Sequence, residues 1–348
     1  MPHRLMSPRL VSPRLMSLRL MSSRAPLILA ATAFLAAGTA HAQTSNNAPS
    51  PDVVVSIKPI HSLVAAIMAG VGAPKLIVEG AASPHTYNMK PSNAAALQNA
   101  KIVFWMGEGM EHFLEKPLET LGSKATVVAL EDAPGVEKLP QREGGPFEPH
   151  DDGDEADAGH DHDAAAEASH AHDDGEFDMH SWLDPRNAKA MAAEIETTLA
   201  KADPDHAAAY RTNRETLDAR IDALDRAIAA TVAPIKDRPF VVFHDAYQYF
   251  EHRYGVSVAG SITVSPETAP GAQRLKEIHA KIEKLGATCV FAEPQFEPKL
   301  VNVVLEGTSA KSGTLDPEAG TLTAGPDLYF QLMNGIAQSL ASCLSQQG

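Results

Sequence analysis

Three histidines stand where an imidazole can reach a bound cation. His85 lies in the stretch Glu79 to Ser92, His180 shortly precedes Asp184-Pro185, and His244 directly follows the apolar run Pro239 to Phe243. The first position stands out because connections in α/β units usually take about two to six residues, and longer ones at the carboxyl ends of strands are where ligands bind. Asp184-Pro185 reads as a helix start, with Asp at the cap and Pro in the first turn. His244 sits at a strand end and enters a helix, the position inferred for His85. Each has a plainer reading alone, as a surface loop histidine or a satisfied core histidine. Three neutral imidazoles together suit Zn(II) at about 2.0–2.1 Å, with a fourth position for a carboxylate or water. His61 and His112 fall within helical patterns and read as packing or surface residues.

A different metal chemistry is written between Glu148 and Asp178. His150, His160, His162, His170 and His172 stand there among thirteen acidic residues, without one Lys or Arg. So much charge with so few bulky apolar groups leaves nothing to offset the backbone entropy lost on ordering. The expectation is a disordered insertion over about 141–178 that attracts Zn(II), Cu(II) or Ni(II) as a secondary metal-binding loop.

The elements that must position the three histidines follow from the apolar periodicity. Short β-branched runs at 52–57, 75–78, 102–105 and 125–130 alternate with helical spacings at 60–69, 93–100 and 110–121. The alternation resumes at 239–243 and continues through 256–259, 271–285, 288–291, 299–307, 313–315 and 326–344. Alternating strands and helices predict an α/β fold with mostly parallel sheets. Between the two series, 187–202 is helical, and a long helix follows from Pro204 to about Ala233, with Leu217, Ile221, Leu224 and Ile228 on one narrow seam. The expected organisation is a first lobe at 52–203, a connecting helix at 204–234 and a second lobe at 238–348.

Residues 1–42 read as an export signal: Arg4, Arg9, Arg14, Arg19 and Arg24, then the apolar run Ala25 to Ala37, then Ala40-His41-Ala42 as a cleavage site. The imperfect repeat around Leu5 to Arg9 leaves Met16 or Met21 as alternative starts. Removing five Arg and no acid from the chain's 29 basic and 44 acidic residues leaves 24 against 44, a formal charge of −20. Nucleic acid and anionic membranes are poor partners for such a chain, and cations are good ones. Two cysteines in an exported chain usually pair, so a Cys289–Cys343 disulfide is expected, closing a loop of roughly fifty residues.

Ser83-Pro84-His85-Thr86-Tyr87, His180-Ser181-Trp182-Leu183-Asp184-Pro185, Phe243-His244-Asp245-Ala246-Tyr247, Phe291-Ala292-Glu293-Pro294-Gln295-Phe296 and Gly313-Thr314-Leu315-Asp316-Pro317 resemble, in order, the motifs of zinc-uptake solute-binding proteins of ABC transporters, the ZnuA type. The His/Asp-rich insertion and the late Cys pair fit the same resemblance. It implies two α/β lobes joined by a rigid long helix, with Zn(II) held in the cleft by His85, His180 and His244 and passed to a membrane permease. Some members carry Glu before the first His, where this chain has Pro84. The fourth ligand is thus either water or Asp316, the latter used by other metal-binding members of the wider family. Glu293 matches a structural position. The expectation is a soluble periplasmic monomer that is not an enzyme. Manganese or iron uptake is the nearest alternative. A zinc hydrolase and a passive zinc buffer are the alternatives from other classes.

Overall fold

In the computed structural model, residues 50–142, 177–263, 266, 269–286 and 289–345 are described. The expected signal segment, and all five histidines of the His/Asp-rich segment, lie outside them. Two parallel four-stranded sheets, each flanked by helices, form an α/β fold.

The first sheet is built from β1 (Val53–Val55), β2 (Lys75–Leu76), β3 (Ile102–Trp105) and β4 (Thr126–Ala129), in the order β2-β1-β3-β4. Its helices are α1 (Lys58–Ile67), α2 (Pro91–Asn99) and α3 (Glu115–Thr120). β1 and β3 are central and nearly all buried, as continuous apolar runs in a sheet covered on both faces must be. The helix expected over 110–121 is instead a 3-10 turn at His112–Leu114 followed by α3. Pro117 accounts for the break, since proline lacks an N–H and is tolerated only in a helix's first turn.

α4 (Pro185–Ala202) and α5 (Ala207–Val232) follow. Asp184 caps α4 by accepting from the Arg186 amide at 2.8 Å. The 26 residues of α5 span about 39 Å at ~1.5 Å per residue. Its buried stripe, Tyr210, Leu217, Ile221, Leu224, Ile228 and Val232, recurs every three or four residues after Leu217, as one helix face should.

The second sheet takes β5 (Phe240–His244), β6 (Val258–Thr263), β7 (Cys289–Ala292) and β8 (Lys311–Thr314), in the order β6-β5-β7-β8. Its helices are α6 (Gln248–Tyr254), α7 (Ala272–Leu285), α8 (Lys299–Leu305) and α9 (Leu328–Leu344). α5 packs on α4, α1 and α9, and α9 also packs on α1, so helices flanking both sheets meet along one apolar core. Among the described residues, no helix is long and apolar enough to cross a membrane.

Cys289 and Cys343 are joined, with Cα atoms 6.3 Å apart across a separation of 54 residues. The bond fastens α9 to β7 at the centre of the second sheet. Replacing both cysteines with Ser should destabilise the chain by about 2–4 kcal/mol through the freed unfolded chain, read as an earlier urea midpoint. An unchanged midpoint would show that packing alone holds α9.

Candidate metal centre

The two sheets deliver their ligand-type side chains to one place. His85 lies in a 3-10 turn, Pro84–Thr86, beyond the carboxyl end of β2, and His244 is the last residue of β5. His180 immediately precedes the 3-10 turn Ser181–Leu183 that leads into capped α4. A fourth residue joins them: Glu318, in the turn after β8. One ligand atom from each of His85, His180, His244 and Glu318 lies within 4.8 Å of all the others.

The spacing has a chemical meaning. Nε2 of His180 and Nε2 of His244 face each other at 3.3 Å. Two nitrogens bound to one tetrahedral zinc at about 2.0–2.1 Å are themselves ~3.3–3.4 Å apart. His85 Nε2 and Glu318 Oε1 are 3.7 Å apart. His85 Nε2 and Glu318 Oε2 are both buried and make no hydrogen bond. Buried polar atoms are normally satisfied, and a cation at the centre of the four would satisfy these.

The far nitrogens are held. His180 Nδ1 lies 2.8 Å from Asp178 Oδ1, and the same oxygen accepts from the His180 amide at 3.0 Å. His244 Nδ1 lies 2.8 and 2.7 Å from the two oxygens of Glu293. Such carboxylate partners fix the ring orientation and, with the proton on Nδ1, leave Nε2 free to bind metal. Glu293 thus touches a ligand-type ring and stands outside the group of four. His61 is buried against the Pro74 carbonyl, and His112 is exposed.

Asp316 does not lie in the group. Its Oδ1 accepts from Gln295 Nε2 and the Gly320 amide, both at 2.8 Å, and its Oδ2 accepts from the Thr321 amide and hydroxyl at 3.1 and 3.0 Å. The carboxylate weighed against water as the fourth ligand is committed to closing its own turn, and the same turn carries Glu318, which lies among the three imidazoles. The sequence offered one sign, a second acid two residues beyond Asp316. Asp178 was missed too, although it stands two residues before His180.

Burial sets the protonation. His244 is pushed down to about 4 by burial, which outweighs Asp245 and Asp178. His85 is held well below the ordinary imidazole value by burial and by the neighbouring His180 and His244. These two rings therefore stay neutral, as a metal requires, well below the pH of about 6.5 at which a free imidazole titrates. Glu318 moves the other way, well above the carboxylate range, through burial and the nearby Glu293 and Asp316. Asp178, by contrast, is held low: burial pushes it up, but its bonds to His180 win.

Elements beside both parallel sheets thus bring side chains of metal-ligand type together in one buried group, which defines a class of α/β proteins with two parallel sheets and such a group in the fold. Residues 53–343 match the model of the ZnuA family, zinc-uptake complex component A, periplasmic. The high-affinity zinc uptake system protein ZnuA of Brucella suis biovar 1 (strain 1330) is 56% identical over 306 residues, covering 84% of this chain and 92% of the relative. The protein of that description from Yersinia pestis is 36% identical over 299 residues, covering 86% and 92%. A crystal structure of a ZnuA has a TM-score of 0.68 at 25% identity, covering 84% of this chain and 99% of that one. The structure of a ZnuA deletion mutant with zinc bound scores 0.66 at 25% identity, covering 86% and 100%. The chain belongs to the ZnuA family.

A buried acid with a raised value keeps a proton that the unfolded chain releases. It therefore costs stability as pH rises from the carboxylate range towards that value. The metal-free Glu318→Gln variant should accordingly be more stable than the parent at pH 7–8, by roughly 1 kcal/mol, with the gap closing near pH 4. Thermal melts at both pH values check this. A variant equally stable at both would show that Glu318 carries no burial penalty.

Proposed function

We propose that this protein captures Zn(II) in the periplasm and delivers it to the permease of an ABC transporter. The metal is held as cargo by His85, His180, His244 and Glu318. The observation that carries this reading is the closed set of four: three nitrogens and one oxygen within 4.8 Å, two of the nitrogens at a tetrahedral edge. Four-coordination by imidazoles with one carboxylate suits Zn(II) better than manganese, which favours more oxygen ligands. A catalytic zinc keeps an open position for water, and four protein ligands leave none, which favours binding over hydrolysis.

His85 is the most exposed of the four. The His85 side chain retains 12% exposure, against 7% for His180, 3% for Glu318 and 1% for His244. A groove lined by Ser83, Thr86, Gln295 and Phe296 adjoins His85. The His/Asp-rich segment gathers further zinc for this site. Its described flanks favour that role: Pro140 bridges to Phe177, Arg142 pairs with Asp245 next to His244, and Asp178 holds His180. The protein acts as a soluble monomer after removal of its signal peptide.

Calorimetric titration of the mature chain with Zn(II) should give one tight equivalent plus weaker ones. Deleting His150 to Glu176 should remove only the weaker ones. His85→Ala, His180→Ala or His244→Ala should each weaken the tight one by more than the ~10- to 100-fold usual for groups behind the ligands. Loss of the tight equivalent on deletion, or its survival in all three variants, would overturn the reading.

A further inference from the structure

The turn that carries Glu318 is held from outside its own sheet. Lys58 opens α1, on the first sheet's side of the molecule, three residues after β1 ends. Its buried ammonium donates to the carbonyls of Ala319 at 3.0 Å, Gly320 at 2.7 Å and Leu322 at 2.8 Å. An ammonium has three N–H donors and no acceptor, so these carbonyls use all of them. Charge-assisted bonds of this kind are about twice as strong as neutral ones.

The gripped backbone carries a conformational cost. Ala319 has φ of 57°, the one non-glycine residue with positive φ among those described, in a region that an L-residue with a Cβ enters only at a cost. Gly320 is pressed so close that a Cβ there would lie 2.9 Å from Gln295 Nε2 and 3.2 Å from the Ala81 Cα. Trp182 Nε1 adds a bond to the Pro317 carbonyl at 3.0 Å, and Ser83 Oγ donates to Glu318 Oε1 at 3.3 Å. Asp316 ties the turn internally. Glu318 thus points at the three imidazoles because the peptide units on its carboxyl side are pinned, and the pin comes from the other half of the fold.

We propose that Lys58 is a positioning residue of the metal centre, holding Glu318 against the three imidazoles by clamping its turn across the two halves of the fold. It follows that separating the halves withdraws one ligand from the metal as the clamp opens, a route by which bound metal is released. The proposal rests on the reading of the four residues as a zinc site.

The test uses the mature chain with Zn(II) and Co(II) as probes and a double-mutant cycle. Lys58→Met should raise the zinc dissociation constant about 10- to 100-fold, as loss of a group behind a ligand does. Glu318→Gln should do at least as much, and adding Lys58→Met to it should cost less than about twofold more, because the clamp then has no ligand to place. The visible spectrum of the Co(II)-loaded Lys58→Met protein should shift towards that of Glu318→Gln, which a general loss of stability would not produce. Lys58→Arg, which keeps a charged donor, should recover part of the affinity; with Lys58→Gln it also replaces Lys58→Met if that variant does not fold. Equal penalties for Lys58→Met in both backgrounds, or an unchanged Co(II) spectrum, would overturn the clamp and leave the zinc site standing. A parent chain that binds no zinc tightly would overturn the site itself.

Discussion

Everything in this fold converges on one electrostatic constraint: three imidazoles and a carboxylate are buried so closely that they cannot satisfy one another. Nε2 of His180 and Nε2 of His244 meet at 3.3 Å, a distance at which two lone pairs repel and a cation between them attracts. The remaining ring nitrogens of those two histidines are committed to Asp178 and Glu293, so the rings cannot turn away to relieve the contact. Buried polar atoms of His85 and Glu318 are left without a partner there, and a divalent cation, displacing the proton that burial keeps on Glu318, has the charge and coordination number to pair them.

The four residues come from elements beside both sheets, which has consequences beyond binding. His85 follows β2, His180 precedes α4, His244 ends β5 and Glu318 follows β8, so an ion held by the four would link elements beside both sheets. The apolar packing of α1, α5 and α9 holds the frame, while Lys58, Trp182 and Ser83 reach across to the Glu318 turn. Hydrophobic burial is non-directional and sets the halves at a working distance. Directional hydrogen bonds then place the ligand atoms.

The α/β pattern was legible in the apolar periodicity, and the three histidines stood out by position, although only the family resemblance joined them into one ligand set. His244 ends a continuous apolar strand, His85 occupies an overlong connection, and His180 stands beside a capped helix start. Glu318 was not legible, because no local rule distinguishes it from Asp316. Which acid faces the imidazoles depends on where Gln295, Thr321 and the clamp from Lys58 lie in space, and Lys58 is more than 250 residues away in sequence. Helix ends fared similarly: Asp184-Pro185 announced its cap, whereas the shortening of α3 depended on Pro117 within an otherwise helical run. The disulfide was readable from the count of two cysteines alone, although what it fastens, α9 to the second sheet, was not.

A single zinc ion among His85, His180, His244 and Glu318 would join elements beside both sheets. Anomalous diffraction at the zinc edge, from crystals grown with one equivalent of Zn(II), tests it most directly. One dominant peak is expected at about 2.0–2.1 Å from Nε2 of each histidine and from a Glu318 oxygen. A peak that leaves Glu318 out in favour of water or Asp316, or one bound only by residues of a single half, would contradict it.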